Sequence, residues 1–175
     1  MTILNILQYP DIRLRRKGCQ VTNVSAPKIQ EIINNMLETL IAKKNCAGLA
    51  ATQLELDNPP NIAVINYTQN EIKKNILCLV NPQIIIKEGS NLSEEGCMSI
   101  GPSGKIYAKI RRATKIQVQA LDSKGRELKF EAADFLARCI QHECDHLQGI
   151  LFIDYLSKLK WIFIERKIIK FTNIK

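Results

Sequence analysis

The two histidines of this chain, His142 and His146, lie four residues apart in the segment His142-Glu143-Cys144-Asp145-His146. Four residues span about one turn of an α-helix, so both imidazoles would project from one helix face and could bind the same ion. Glu143 lies beside the first histidine, where it could exchange protons with a water on that ion. The pattern predicts a metal-binding helix over about residues 132–147 that ends near Gly149.

The length and composition predict one globular domain over residues 1–175, because 46% of the residues are hydrophobic and no linker-like stretch interrupts them. No apolar run is long enough to span a bilayer, and the N-terminus lacks the layout of a secretory signal. We therefore expect a cytoplasmic protein without a membrane partner, whose six cysteines are reduced. The net charge of +8 is spread along the chain without a nucleic-acid-binding signature, which favours a solvated basic surface and no DNA partner.

Apolar residues spaced by three and four predict a helix over residues 26–44, with Ser25 as its cap and Pro27 in its first turn. A second amphipathic helix is predicted at the C-terminus, over roughly residues 154–171.

Between these helices the pattern is typical of β-strands. Residues 61–67 and 75–87 are strand-like, and alternating residues on either side of an Asp-Ser-Lys-Gly turn predict a hairpin of 115–121 with 127–131. Residues 88–105 contain four of the eight glycines and are interpreted as a loop. We predict an α+β fold in which antiparallel strands surround a central metal-binding helix, with one helix towards each terminus.

A catalytic site of the zinc type usually has three protein ligands and one open position, so a cysteine or a carboxylate must join the histidines. Cys144 lies about 200° around the helix from the first histidine and points away. Cys139 shares the histidine face but lies about 10 Å along the axis from the second histidine, which predicts a place in the pocket wall or core. Cys97 is the favoured third ligand because Gly96 gives its loop backbone freedom. An acidic ligand is the alternative.

Three segments, in this order along the chain, resemble the three motifs of bacterial peptide deformylases. They are Gly48-Leu49-Ala50-Ala51-Thr52-Gln53, Glu95-Gly96-Cys97-Met98-Ser99 and Gln141-His142-Glu143-Cys144-Asp145-His146-Leu147-Gln148-Gly149. The likeness extends through residues 151–157 and covers most of the chain. It implies an enzyme that removes the formyl group from the N-terminal formylmethionine of nascent chains.

The resemblance also implies a metal ion held by Cys97, His142 and His146. In the family this ion is ferrous iron, and zinc or nickel can replace it. A dipositive ion lowers the pKa of its bound water towards about 7, which makes hydroxide available near neutrality. By the same resemblance Glu143 is the general acid/base: it takes a proton as the hydroxide attacks the formyl carbon and passes it to the departing amine.

Further roles follow from the same motifs. Gln53 and the backbone N–H of Met98 would donate hydrogen bonds to the tetrahedral oxyanion, where the loss of one donor typically costs about 3 kcal/mol of barrier. The segment around Gly48 and Leu49 would line the peptide, with Cys139 in the wall of the substrate pocket.

The chain departs from the family pattern at three places near the expected substrate groove. Cys46 replaces the first glycine of the Gly-x-Gly-Leu-Ala-Ala segment, and its Cβ is expected to narrow the groove. Arg138 stands where an aliphatic pocket residue is common, and the loop over residues 100–107 is longer than usual. These differences concern the preference for formylmethionine and leave the metal chemistry intact.

Two other functions fit parts of the pattern. A peptidase of the His-Glu-x-x-His type would need a third histidine or a glutamate as ligand. A ribosome- or RNA-binding protein with a structural metal would need a fourth protein ligand, because structural sites are closed.

A deformylase could also contact the ribosome transiently through its C-terminal helix; the alternative is a helix that only packs on the core. The predicted apolar side comprises Leu159, Ile162, Phe163 and Ile169, and the residues that could face rRNA are Lys158, Arg166, Lys167 and Lys170.

Overall fold

The structure, a computed structural model, describes residues 2–68, 75–101, 104 and 106–172. In this part of the chain, antiparallel strands and three α-helices form the α+β fold that the sequence predicts. The helices are α1 (Pro27–Ala42), α2 (Asp134–Leu147) and α3 (Lys158–Thr172). The strands are β1 (Gly48–Ala50), β2 (Ile62–Asn66), β3 (Ile76–Glu88), β4 (Asn91–Gly96), β5 (Tyr107–Arg112), β6 (Lys115–Leu121) and β7 (Glu127–Ala133).

Five strands form one antiparallel sheet in the order β1-β2-β3-β6-β7. The strands β4 and β5 form a separate two-stranded sheet in which Glu95 lies opposite Ala108. The predicted hairpin is confirmed, since β6 and β7 pair from Lys115 opposite Ala133 to Leu121 opposite Glu127.

Helices cover both faces of the larger sheet, and β2 shows why. Successive side chains of a strand point to opposite faces. Val64 belongs to the cluster that includes Ile33 and Met36 of α1, whereas Ile65 packs in the cluster that includes Ile140 of α2. Because both faces are buried, the first four residues of β2 are all buried and the strand reads as an unbroken apolar run. This packing fixes α2 beside β1 and β2.

A further core cluster joins the smaller sheet to both termini. Leu14 near the N-terminus and Ile110 of β5 pack there with Phe152 and with Ile164 and Ile168 of α3. Cys97 belongs to the same cluster, so this core holds the loop after β4 in place.

Two details of the predicted helices differ in the structure, and a third is confirmed. The cap of α1 is Ala26, and Ser25 lies one residue too early for its hydroxyl to cap the helix. The C-terminal helix begins at Lys158, after a 3-10 turn at Phe152–Tyr155. Gly149 has a φ of +73°, the left-handed conformation expected just beyond the end of α2.

The predicted apolar side of the C-terminal helix was wrong. Its inward residues are Ile164 and Ile168, because these two face the cluster around Leu14. The four residues of the predicted apolar side are exposed instead: Leu159, Ile162, Phe163 and Ile169.

The loop predicted over residues 88–105 was also wrong in part, because β4 occupies Asn91–Gly96. Its polar, glycine-bounded sequence has little strand character of its own, and pairing with β5 supplies the order. Of the unusual loop over residues 100–107, Pro102, Ser103 and Lys105 lie outside the described residues. No helix among the described residues has the length and apolar character needed to cross a membrane.

Candidate metal centre

The candidate metal centre is built from α2 and the turn that follows β4. His142 and His146 lie one helical turn apart, and their Nε2 atoms are 3.2 Å from each other. The Sγ atom of Cys97 lies 3.1 Å from Nε2 of His146. The possible ligand atoms of these three residues all lie within 4.8 Å of one another, and among the described residues no carboxylate joins them. The favoured third residue, Cys97, is thus brought to the histidines, and the acidic alternative is not.

A buried carboxylate orients the first histidine. The Nδ1–H of His142 donates to Oε2 of Glu95 at 3.0 Å, which leaves Nε2 facing Cys97 and His146. Arg112 donates to both oxygens of the same carboxylate, at 2.8 and 3.0 Å. Burial raises the pKa of Glu95, but the hydrogen bonds from His142 and Arg112 outweigh it and lower the pKa to about 2. The carboxylate is therefore ionised, as an outer partner of a metal-binding histidine should be.

Arg112 extends this network to Asp145, three residues after His142 on α2, and to Tyr155. Its guanidinium also donates to Asp145 and lies 4.8 Å from the centre of the Tyr155 ring. The hydroxyl of Tyr155 donates to the same Asp145 carboxylate at 2.9 Å. These ionic contacts connect β4, β5, α2 and the turn before α3, so they fix the position of the metal-binding helix relative to Cys97.

Glu143 is the buried acid beside this centre, with only 3% of its surface exposed. Its Oε2 atom has no hydrogen-bond partner among the described residues. Burial raises the pKa of Glu143 to about 7, because the charged form loses its hydration. A buried carboxylate with one unpartnered oxygen is costly for folding alone, and its protonation near neutrality suits a group that accepts and returns a proton.

Gly48 makes room for this carboxylate. A Cβ added at this position would lie 2.4 Å from Oε1 of Glu143, which is far inside van der Waals contact. The glycine of the first motif is therefore required here by the close approach of β1 to α2.

We expect Gly48→Ala to displace the Glu143 carboxylate and to lower the turnover number of the metal-loaded protein by about 100-fold, since a shift of about 1 Å in a catalytic group can cost that much. The metal content should stay unchanged, because the three proposed metal-binding side chains are untouched. Steady-state kinetics and metal analysis of the same preparation test this. Ala47→Gly, one residue earlier, serves as the control, and equal turnover in Gly48→Ala and the parent protein would contradict the assigned role of Gly48.

Gln53 reaches the centre from the 3-10 turn Ala51–Gln53 after β1. Its Oε1 accepts from the backbone N–H of Ala50 at 2.9 Å, which fixes the orientation of the side-chain amide. Its Nε2 donates to Oγ of Ser99 at 3.1 Å and lies 3.4 Å from Sγ of Cys97. A neutral N–H donor is thereby directed at the candidate metal centre.

A cavity of about 460 Å³ opens beside these groups and contains most of the residues that the sequence singled out. Leu49 and His146 are the exceptions: the side chain of Leu49 is fully buried in the core cluster with α1, and neither residue belongs to the described wall of the cavity. The residues of the predicted site that line it are Gly48, Gln53, Cys97, Met98, Cys139, His142 and Glu143.

Two further thiols lie in the cavity wall, those of Cys46 and Cys139. Burial raises the pKa of each to about 12, so both stay protonated at neutral pH and are poor metal ligands. This agrees with the prediction that Cys139 belongs to the pocket wall.

The donor set fits a divalent cation. One sulfur and two ring nitrogens converge on one point, and among the described residues no fourth side chain closes the set. Three ligands of this kind suit zinc or ferrous iron and leave a position for water or substrate. A structural site would be closed by a fourth ligand.

The sequence analysis missed the roles of Glu95 and Arg112, although it quoted Glu95 within the second motif. The available signal was a carboxylate two residues before the proposed ligand Cys97, since histidine ligands usually donate their second ring N–H to a carboxylate or a carbonyl. Arg112 gave no such signal, because it reaches Glu95 only through the pairing of β4 with β5.

An α+β fold with an open Cys-His-His centre next to a buried glutamate defines a metal-dependent hydrolase. The match to known proteins is more specific, since the polypeptide deformylase family model matches residues 3–161. The chain therefore belongs to the polypeptide deformylase family, whose members are hydrolases that remove the formyl group from N-terminal formylmethionyl peptides.

Relatives over nearly the full length support this placement. The chain is 47% identical to peptide deformylase 1 of Coxiella burnetii over 166 residues, covering 95% of each chain. It is also 47% identical to a peptide deformylase of Buchnera aphidicola over 173 residues, covering 99% of this chain and 95% of the relative.

Solved structures give the same result. The crystal structure of a peptide deformylase from Legionella pneumophila superposes with a TM-score of 0.87 at 36% identity and covers 99% of this chain and 97% of that one. The Ehrlichia chaffeensis peptide deformylase, crystallised in complex with actinonin, gives a TM-score of 0.84 at 35% identity, with 97% and 98% covered. The family decides against the peptidase and the RNA-binding protein as the primary function.

Proposed function

We propose that residues 1–175 act as a single catalytic domain that deformylates newly synthesised proteins in the cytoplasm, with ferrous iron held by Cys97, His142 and His146. The observation that carries this proposal is the convergence of these three side chains at a cavity beside the buried carboxylate of Glu143. When bound there, a divalent ion would polarise the formyl oxygen and lower the pKa of a water molecule towards about 7.

Glu143 is the proposed general acid/base of the reaction. It accepts a proton from the attacking water and delivers it to the amine of the departing peptide. Its place in the cavity wall, its unpartnered Oε2 atom and a pKa raised by burial to about 7 support both transfers near neutral pH.

Gln53 and the backbone N–H of Met98 are the proposed donors to the tetrahedral oxyanion. Both residues line the cavity next to Cys97, and the amide of Gln53 is already oriented by Ala50. Donors fixed before the reaction stabilise charge in the transition state without a cost of reorientation.

Metal loading tests the function and the identity of the ion. Protein purified without oxygen should contain about one ferrous ion per chain and hydrolyse formyl-Met-Ala-Ser to formate and Met-Ala-Ser. Removal of the ion by a chelator should abolish this activity, ferrous iron should restore it, and zinc or nickel should also occupy the site. The unformylated peptide and an internally bonded peptide are the controls. Undiminished hydrolysis after complete metal removal would refute the proposal.

We also propose a transient contact between α3 and the ribosome, where formylated chains emerge. The four basic residues singled out in the sequence are exposed, and they are Lys158, Arg166, Lys167 and Lys170. Basic side chains bind rRNA phosphates through a salt-dependent electrostatic attraction.

The double variant Arg166→Glu/Lys170→Glu should therefore lose most of its co-sedimentation with ribosomes. Substitution is preferable to truncation, because α3 contributes Ile164 and Ile168 to the core. Sedimentation is measured at 50 and 200 mM salt, and Lys124→Glu/Lys129→Glu is the charge-matched control. Equal, salt-insensitive binding of all three proteins would rule the contact out.

A further inference from the structure

The mouth of the cavity contains a group of basic side chains. Lys43 and Lys44 line the cavity from the end of α1 and are exposed, whereas Arg138 lines it from α2 and is half-buried. None of the three forms an ion pair with an acidic side chain among the described residues, where the ion pairs found involve other basic side chains.

The acidic side chains of the cavity do not cancel this charge. The charge of Glu95 is neutralised by Arg112, to which it is bound through both oxygens. Glu143 lies at the buried end of the cavity, where only 3% of its surface is exposed, so it does not contribute to the mouth. Glu94 remains as an exposed acid in the described wall. Three basic groups and one exposed acid therefore give the outer cavity a net positive charge.

Arg138 is the basic residue nearest to the reacting groups along α2. It precedes His142 by four residues, so the two side chains lie on one face of the helix about 6 Å apart at Cβ. Its guanidinium lies 5.5 Å from the centre of the Phe135 ring, which supports it at the cavity wall. An extended peptide advances about 3.3–3.6 Å per residue, so a substrate bound at the metal centre and running along this wall would reach Arg138 within its first three residues.

We propose that this cavity selects formylmethionyl peptides with an acidic residue at the third position, and that Arg138, Lys43 and Lys44 determine this specificity. The inference rests on the proposed function, since it concerns the substrate class of the same site. A carboxylate on the emerging peptide meets three unpaired positive groups, whereas a lysine at the same position is repelled by them.

The test compares three substrates of the metal-loaded enzyme: formyl-Met-Ala-Glu-Ser, formyl-Met-Ala-Gln-Ser and formyl-Met-Ala-Lys-Ser. At low salt, kcat/KM should fall in this order, by about three- to five-fold per step, which is the range of exposed ion pairs. The differences should lie in KM, because these contacts are equal in the ground state and the transition state. They should shrink to less than about two-fold at 1 M salt, where the screening length is about 3 Å.

Variants show which residues cause the effect. The quantity compared is the ratio of kcat/KM for the glutamate peptide to kcat/KM for the lysine peptide. Arg138→Leu, Lys43→Gln and Lys44→Gln should each lower this ratio by about two-fold or more. Arg138→Lys should retain it, and Lys129→Gln on β7, outside the cavity, should leave it unchanged. Equal kcat/KM for the three peptides, or a ratio that survives all three neutral variants, would overturn the inference while deformylation itself continues. Absence of turnover with every peptide would instead refute the proposed function.

Discussion

Glu143→Gln should lower the turnover number for formyl-peptides by about two to four orders of magnitude, the range that general acid–base catalysis usually contributes. The substituted amide keeps the size of the side chain but can neither accept the proton of water nor return it to the departing amine. The cavity would keep its shape, because the glutamine side chain is as large as that of Glu143 and fits the same space against Gly48 of β1. Substrate affinity should therefore change much less than turnover.

The measurement needs metal analysis of the same sample, so that lost chemistry is separated from lost metal. We expect Glu143→Gln to bind the same amount of ferrous iron as the parent protein, since Glu143 is outside the cluster of Cys97, His142 and His146. His146→Ala is the matched control from the same helix face, and it should lose metal and activity together. Near-normal turnover of a fully loaded Glu143→Gln protein would exclude Glu143 as the general acid/base.

Arg112→Met should lower the free energy of unfolding by about 3–5 kcal/mol, because it leaves a buried charge without its partner. The side chains of Arg112 and Glu95 are only 6% and 4% exposed, so water cannot replace the lost ion pair. Asp145 loses a donor at the same time. This loss is a large part of the stability of a typical domain.

Urea denaturation of the chelated protein measures this effect without a contribution from metal binding. The double variant Arg112→Met/Glu95→Gln should recover part of the loss, since the second substitution removes the unpaired charge. The exposed pair of Lys115 with Glu131 gives the control, and Lys115→Met should lower the free energy of unfolding far less, because water screens an exposed ion pair. If Arg112→Met and Lys115→Met destabilised the protein equally, the network would have no special structural role.

The metal-loaded form of Arg112→Met adds a second comparison. Without Arg112, the carboxylate of Glu95 is held less firmly against Nδ1 of His142. Loss of such an outer partner typically lowers metal affinity by about 10- to 100-fold. The stability deficit should therefore be larger in the presence of limiting ferrous iron than in its absence.

Much of the candidate site could be predicted from local spacing. The four-residue interval of His142 and His146 is a property of the helix itself, so it survives any arrangement of the rest of the chain. The exclusion of Cys144 and Cys139 as ligands rested on the same local geometry. The hairpin of β6 and β7 was equally local, since its turn and its alternation lie within one short segment.

Features that depend on distant segments were predicted poorly. The strand β4 has no apolar alternation and exists because β5 pairs with it, so its segment was interpreted as loop. The buried face of α3 was assigned to the wrong residues, because this helix carries apolar residues on more than one side and the sequence does not show which of them meet Leu14 and Phe152. Ser25 was predicted to cap α1, but the cap is the next residue, Ala26. Side-chain preference alone does not locate the start of a helix to within one residue.

The sequence by itself determined the metal-binding helix, the α+β class and the family resemblance, because these depend on residue types at fixed short intervals. Tertiary structure decided that Cys97 meets the histidines, that Arg112 holds Glu95 against His142, and that Leu49 faces the core instead of the cavity. The physical reason is that a buried charge or a ligand set is stabilised only by groups that folding brings together from separate strands and helices.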